Sequence, residues 1–223
     1  MTPKRTSTQL DFSHLPLLDH HCHPIYRPEY ARGPLPSFLT ESFDPELIAR
    51  HGRHTLFFRR AVKELAQLLE CDPTPEAVEE ARAALPLEKF FALACREGKI
   101  EGLLLDDGYL KDQTQSLEWH HRTSGCQVAR VLRLEVLIQD LIPQHSELAG
   151  LTAAYVAELD RAAPQIVSLK SIIAYRTGLD IRETSAAEAA AALAEVRKSL
   201  KPGQRLRIAS KPLLDYLIPV ALA

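Results

Sequence analysis

The chain has 223 residues, 46% of them hydrophobic, and a formal net charge of −2. That is enough apolar material for a sizeable core, and the charge balance excludes the basic footprint of a nucleic-acid binder or a polybasic membrane anchor. No stretch reaches about 18 uninterrupted apolar residues, and the N-terminal Met-Thr-Pro-Lys-Arg-Thr-Ser-Thr-Gln has no secretory apolar core. The four cysteines (Cys22, Cys71, Cys95, Cys126) are widely spaced and form no Cys-x-x-Cys pair, so they read as reduced thiols of a cytoplasmic protein.

Four apolar segments read as buried strands, the later ones separated by helical stretches in the manner of parallel βα units. The first is Leu15–His23. Alternation along it puts Asp19, His21 and His23 on one side and Cys22 on the other. Two imidazoles two residues apart, with a carboxylate just before them, suit a divalent metal, zinc above all. The apolar lead-in brings the pair out at the strand's C-terminal end, where parallel α/β folds place their chemistry. The competing reading is that histidines crowd this segment (His14, His20, His21, His23) and some are bystanders.

Residues 24–98 are expected to form a mostly helical insertion between the first two strands. It opens on a proline-rich loop (Pro24, Pro28, Pro34, Pro36) and continues as helices near Pro45–His51, Thr55–Glu70 and Pro75–Leu85, with Thr74-Pro75 as N-cap and first helical position. Such an insertion would lie over the histidine face as a cap or dimerisation arm, or be an unrelated surface excursion. A further helix, Leu87–Glu97, stops at Gly98.

The second strand, Ile100–Asp106, ends in Asp106-Asp107-Gly108-Tyr109. Gly108 supplies a tight turn, and one of the two aspartates faces the strand ends, which makes Asp106 a candidate site residue beside the plainer reading of an Asp-Gly turn. His120 and His121 fall in a polar loop and are expected to be exposed, with Trp119 a candidate substrate wall. The third strand, Val128–Ile138, puts Val131, Arg133 and Glu135 on one face. Inward charges are costly unless paired or used, so Arg133 and Glu135 either pair with each other or line the site, holding a substrate carboxylate or a ligand water. Helix Ala149–Ala162, closed by Pro164, leads to the fourth strand, Ile166–Ala174. Lys170 in its middle points inward as charge partner of an acid, substrate clamp or, if carbamylated, a metal bridge. Ser185 and Glu188 make a capping box for an alanine-rich helix over 186–194, which Lys-Pro-Gly at 201–203 stops. No glycine-rich phosphate loop follows any strand, which disfavours a nucleotide site.

Taken in order, Asp-His-His-Cys-His, Leu-Leu-Leu-Asp-Asp-Gly-Tyr, Arg-Leu-Glu and Leu-Lys-Ser-Ile-Ile-Ala-Tyr-Arg-Thr-Gly-Leu resemble the amidohydrolase superfamily. The second and last of these point to the amidohydrolase-related branch sometimes fused to glutamine synthetase. The resemblance runs from about Leu15 to the C-terminus. It implies a metal-dependent (β/α)8 barrel in which the His-x-His of the first strand, His21 and His23 here, binds the metal. It also implies histidine ligands after the fifth and sixth strands and a catalytic aspartate after the eighth. Several members use a carbamylated lysine on the fourth strand, and Lys170 lies on the corresponding strand.

Two features depart from that pattern. Only four strands are legible, where a full barrel takes about 250 residues, and no histidine follows His145. The expected fold is therefore α/β, a partial (β/α)8 TIM-type barrel of about the first four strands, as one half-barrel domain over 1–223. The expected function is metal-dependent hydrolysis of an amide-type bond in a small molecule, incomplete in this chain because the catalytic aspartate would lie beyond it. The alternative is a catalytically inactive fragment or interaction module that keeps only the first metal-binding motif. Open sheet edges, and an uncharged tail Tyr216–Ala223 without a packing partner, lead to an expectation of association through those edges or of a homo-oligomer through the insertion.

Overall fold

The apolar runs and their caps fold into four strands and nine helices among the described residues of a computed structural model, which are 11–12, 14–31 and 33–223. The first ten residues, most of them the segment read above as lacking a secretory core, lie outside these. The strands are β1 (Leu17–Cys22), β2 (Ile100–Asp106), β3 (Gln127–Arg133) and β4 (Ile166–Lys170). They form one parallel sheet in the order β1-β2-β3-β4, flanked by helices, and Arg133 of β3 stands opposite Lys170 of β4. No helix of the described residues is long and apolar enough to cross a membrane.

The chain divides into two compact units. The described residues of the first are 11–12, 14–20, 26–31, 33–103 and 118–127. Its helices α1 (Pro45–His51), α2 (Leu56–Leu69), α3 (Pro75–Ala84) and α4 (Leu87–Glu97) start where the sequence puts their caps. Thr55 accepts from the Phe58 amide and Thr74 from the Ala77 amide. Phe58, Val62 and Ala66 form a stripe at helical spacing on α2 and pack with Val78 of α3 and Leu35. Segment 117–124, read as a polar loop, is instead helix α5 (Leu117–Ser124). His120 in it is fully buried rather than exposed, and Trp119, also buried, stacks on Phe91 at 5.4 Å.

The second unit comprises 21–25, 104–117 and 128–223. Its core lies among α6 (Leu134–Leu141), α7 (Leu148–Ala162), α8 (Ala186–Lys198) and α9 (Lys211–Val220). The capping box at Ser185 and Glu188 forms as read. Three strand boundaries move, the first being β1, which stops at Cys22 and leaves His23 just past its end. The apolar run Val128–Ile138 is strand only to Arg133 and turns helical at Leu134, so Glu135 is not a strand residue and shares no strand face with Val131 and Arg133. Likewise β4 ends at Lys170, and Ile173–Tyr175 is a 3-10 turn. The C-terminal tail is not unpacked either. Leu213, Leu214 and Leu217 of α9 are completely buried and Ile218 nearly so, with Leu193 of α8 in the same cluster.

Candidate active site

The ends of the strands carry a compact polar cluster within the second unit. Asp106 closes β2, and its side chain is 2% exposed. The Arg133 guanidinium donates to it through Nε at 2.9 Å and Nη2 at 2.5 Å, both onto Oδ2, and Lys170 Nζ lies 3.2 Å from the same oxygen. Gly108 completes the cradle, its amide donating to Oδ1 at 3.1 Å. A Cβ at position 108 would come within 2.9 Å of the Arg133 Cβ, so the close approach itself requires glycine. Burial alone would raise the Asp106 carboxyl. The hydrogen bonds and charges of Arg133 and Lys170 outweigh it and hold the group below the usual carboxylate range. Asp107 turns away to Arg130 at 2.9 Å.

His21 and His23 stand on the same rim with ring centroids 6.3 Å apart. Nδ1 of His23 lies 3.4 Å from the carbonyl oxygen of Asp106 and 3.8 Å from its Oδ2. A proton on Nδ1 directed at that carbonyl leaves Nε2 with its lone pair, which is the tautomer a metal ligand uses. Burial, helped by the charges of Lys170 and Arg133, lowers the pKa of His23 against the carbonyl contact and charge of Asp106. The His23 ring packs at a tilt against Tyr109 with centroids 5.3 Å apart, and the Arg133 guanidinium sits 5.6 Å over the Tyr109 ring. Lys170 Nζ is 3.1 Å from His21 Nε2, so the ammonium donates to the imidazole lone pair. The charge of Asp19 bears on the thiol of Cys95. The Cys22 thiol donates to the Leu104 carbonyl at 3.4 Å.

Of the residues singled out from the sequence, His21, His23, Asp106, Arg133 and Lys170 thus meet, whereas Glu135 serves elsewhere. Arg133 and Glu135 do not pair with each other. Glu135 is fully buried at the start of α6, where Oε1 accepts from Ser171 Oγ at 2.5 Å and from the Ile172 amide at 2.9 Å. Tyr109, given no role by the sequence, packs beside His23 and Arg133, and an aromatic directly after Asp-Asp-Gly is a usable signal for such a ring.

The donors present suit a zinc-type ion in kind, two imidazoles on one rim, one of them oriented by a backbone carbonyl. They do not complete a shell. Among the described residues no group of three His, Cys, Asp or Glu side chains is placed to hold an ion, and Lys170 occupies the His21 lone pair.

No protein-family model matches the chain. A crystal structure of a candidate metal-dependent hydrolase from Lactobacillus casei superposes with a TM-score of 0.76 and 27% identity, over 92% of this chain and 54% of that one. The chain has a hydrolase-type fold. Protein fluG of Emericella nidulans is 26% identical over 232 residues, which is 91% of this chain and 26% of the fungal protein. The chain therefore spans about half the length of the solved neighbour and about a quarter of the curated relative.

Proposed function

We propose that this chain carries part of the active site of a metal-dependent hydrolase of the amidohydrolase type. In this reading His21 and His23 hold a divalent ion, zinc by preference, and the substrate is a small molecule with an amide-type bond. The single observation that supports it best is the convergence of both imidazoles with Asp106, Arg133 and Lys170 at the C-terminal ends of adjacent parallel strands. A bound ion would supply a Lewis acid and a water of lowered pKa.

The chain's own residues have separate parts in that reading. Asp106 fixes the His23 ring through its carbonyl and anchors Arg133 and Lys170 through its carboxylate. Lys170 keeps a positive charge beside His21, where it would face a carbonyl oxygen of a bound substrate. Tyr109 packs at a tilt beside the His23 ring.

The test is zinc stoichiometry by metal analysis of the purified chain, with turnover on a panel of N-acyl amino acids and simple esters. Near-stoichiometric zinc that falls in His21→Ala and His23→Ala, with turnover falling alongside, is the expected result. No zinc and no turnover in the wild-type chain would refute it. One observation favours a second reading: the described residues offer two imidazoles and no third acidic, histidine or cysteine ligand to close on them. Zinc retained without turnover would identify a non-catalytic module that keeps the imidazole pair.

A further inference from the structure

None of the residues of helix α1 is buried, and Ile48 alone among them is half-buried. That side chain turns toward Gly52, where a Cβ would come within 2.9 Å of Pro36 and 3.7 Å of the Ile48 Cγ2. The opposite side of the helix therefore carries Glu46 and Arg50, flanked by Leu47 and Ala49, all of them exposed. Asp44 caps the first turn by accepting from the Glu46 and Leu47 amides, and Phe43 just ahead of it is 86% exposed. Helix α2 opens with two more bare apolar side chains, Leu56 at 83% and Phe57 at 62% exposure. The Thr55 hydroxyl, donating to the Gly52 carbonyl at 3.3 Å, ties that start to the end of α1.

Single exposed leucines are ordinary, but this concentration is not. At roughly 200 Å² for a phenylalanine and somewhat less for a leucine, Phe43, Leu47, Leu56 and Phe57 leave about 500 Å² of apolar surface in water. A stable dimer of ordinary size buries about 800 Å² per partner, of which about 500 Å² is apolar. The charges say which partner fits. Asp44 and Glu46 occupy the start of the helix and its cap, while Arg50, His51 and Arg53 follow at its end. That polarity suits the helix dipole, and it also makes the segment complementary to a reversed copy of itself. Antiparallel pairing centred on Ile48 sets Glu46 against Arg50 of the second copy and Arg50 against its Glu46, with Leu47 beside the small Ala49. Glu46 and Arg50 already pair along their own helix at 3.2 Å, and the guanidinium has N–H groups to spare for a second carboxylate. A partner of a single charge sign would meet like charge at one end of α1.

We propose that a second copy of the chain docks on this corner, α1 lying antiparallel on α1 about a two-fold axis, with Phe43, Leu56 and Phe57 closing around the pair. The pairing needs neither a metal nor a substrate, so it stands apart from the hydrolase reading. The rival surface is the edge of β4, where Val167 is exposed. That strand holds no acidic residue to meet its own Lys170 in a second copy.

The experiment is sedimentation equilibrium of the full chain over a range of concentrations. The wild type should reach twice the mass of the chain. Glu46→Arg and Arg50→Glu each set like charges together twice across the interface, and each should weaken association by about tenfold or more. Mixed in equal amounts, the two variants should recover it to within about threefold of wild type, because each then meets the opposite charge. Repair within one helix cannot explain such recovery, since each chain still lacks its own Glu46–Arg50 pair. If either variant loses its cooperative thermal transition, Ala49→Arg, which only adds bulk on the outer side, carries the comparison and should leave the chain monomeric. A wild type that is monomeric at every concentration, variants that associate as before, or a mixture no tighter than its components overturns the proposal. Association that survives these changes and disappears in Val167→Lys overturns it too, and moves the contact to the sheet edge.

Discussion

Replacing Asp106 with asparagine removes one negative charge from between two cations and changes almost no volume. In the wild-type chain Oδ2 receives Arg133 Nε, Arg133 Nη2 and Lys170 Nζ within 3.2 Å. The Arg133 side chain is 9% exposed, so it cannot regain hydration by turning outward, whereas Lys170 at 21% can in part. Removing one partner of a buried ion pair costs about 3–5 kcal/mol. The partial escape of Lys170 argues for the lower end, about 3 kcal/mol. Urea unfolding followed by far-UV circular dichroism should show a midpoint lowered by about 1–2 M at an m-value of about 2 kcal/mol/M. A double-mutant cycle of Asp106→Leu with Arg133→Leu should return a coupling of about 2 kcal/mol or more. Acid adds a second check. Because the folded-state pKa of Asp106 is depressed, its contribution is complete above the unfolded carboxylate value of about 4 and is lost as pH falls through the lower folded value. The gap between wild type and Asp106→Asn should therefore close below about pH 4. A gap under about 1 kcal/mol at pH 7 would refute the claim that this carboxylate holds the two cations in place.

Other expectations are simpler. Lys170→Met should tighten zinc by about tenfold, since the ammonium now competes for His21 Nε2 at 3.1 Å; weaker zinc would instead make Lys170 a ligand in its own right. Leu217→Ala should cost about 2–5 kcal/mol in chemical denaturation, because the side chain is completely buried among α6–α9; a neutral result would mean that α9 is not part of the core. Cys95, 3% exposed and pushed up to about 12 by burial and by Cys126, should resist iodoacetamide at pH 8 in the native chain, while the half-buried Cys71 reacts first. Mass-spectrometric mapping of the alkylated peptides reads the order directly.

Where sequence reading succeeded, a local signal marked the boundary. Strand β2 and helices α1 and α4 fall on the residues expected, since proline, glycine and an Asp-Asp-Gly turn bracket them. The run from Val128 to Ile138 defeated it because apolar residues continue straight across the junction. No glycine, proline or capping side chain marks the change at Arg133, whose side chain makes no cap bond. Helix α5 was lost for the opposite reason. Glu118, His120, His121 and Arg122 look like a solvated loop, and packing such as that of Phe91 and Trp119 against His120 is not legible in the local sequence. At the site, the apolar lead-in marks β1 and brings His21 to its end, but His23 lies one residue past the strand, so its place on the rim does not follow from a strand's period of two. That Arg133 would choose Asp106 over Glu135 was not legible either, since it depends on where β3 ends and how it registers with its neighbours.

The bond from Glu135 to the Ile172 amide reaches further than its two partners. Ile172 lies just past the last strand residue, in irregular backbone that ordinarily trades its protons with water within seconds. Here that proton is sequestered by a carboxylate seated at the mouth of α6, with the adjoining Ser171 hydroxyl laced to the same oxygen. Its deuterium uptake should follow the opening of the helical layer, at a pace typical of sheet interiors and unlike its own irregular segment.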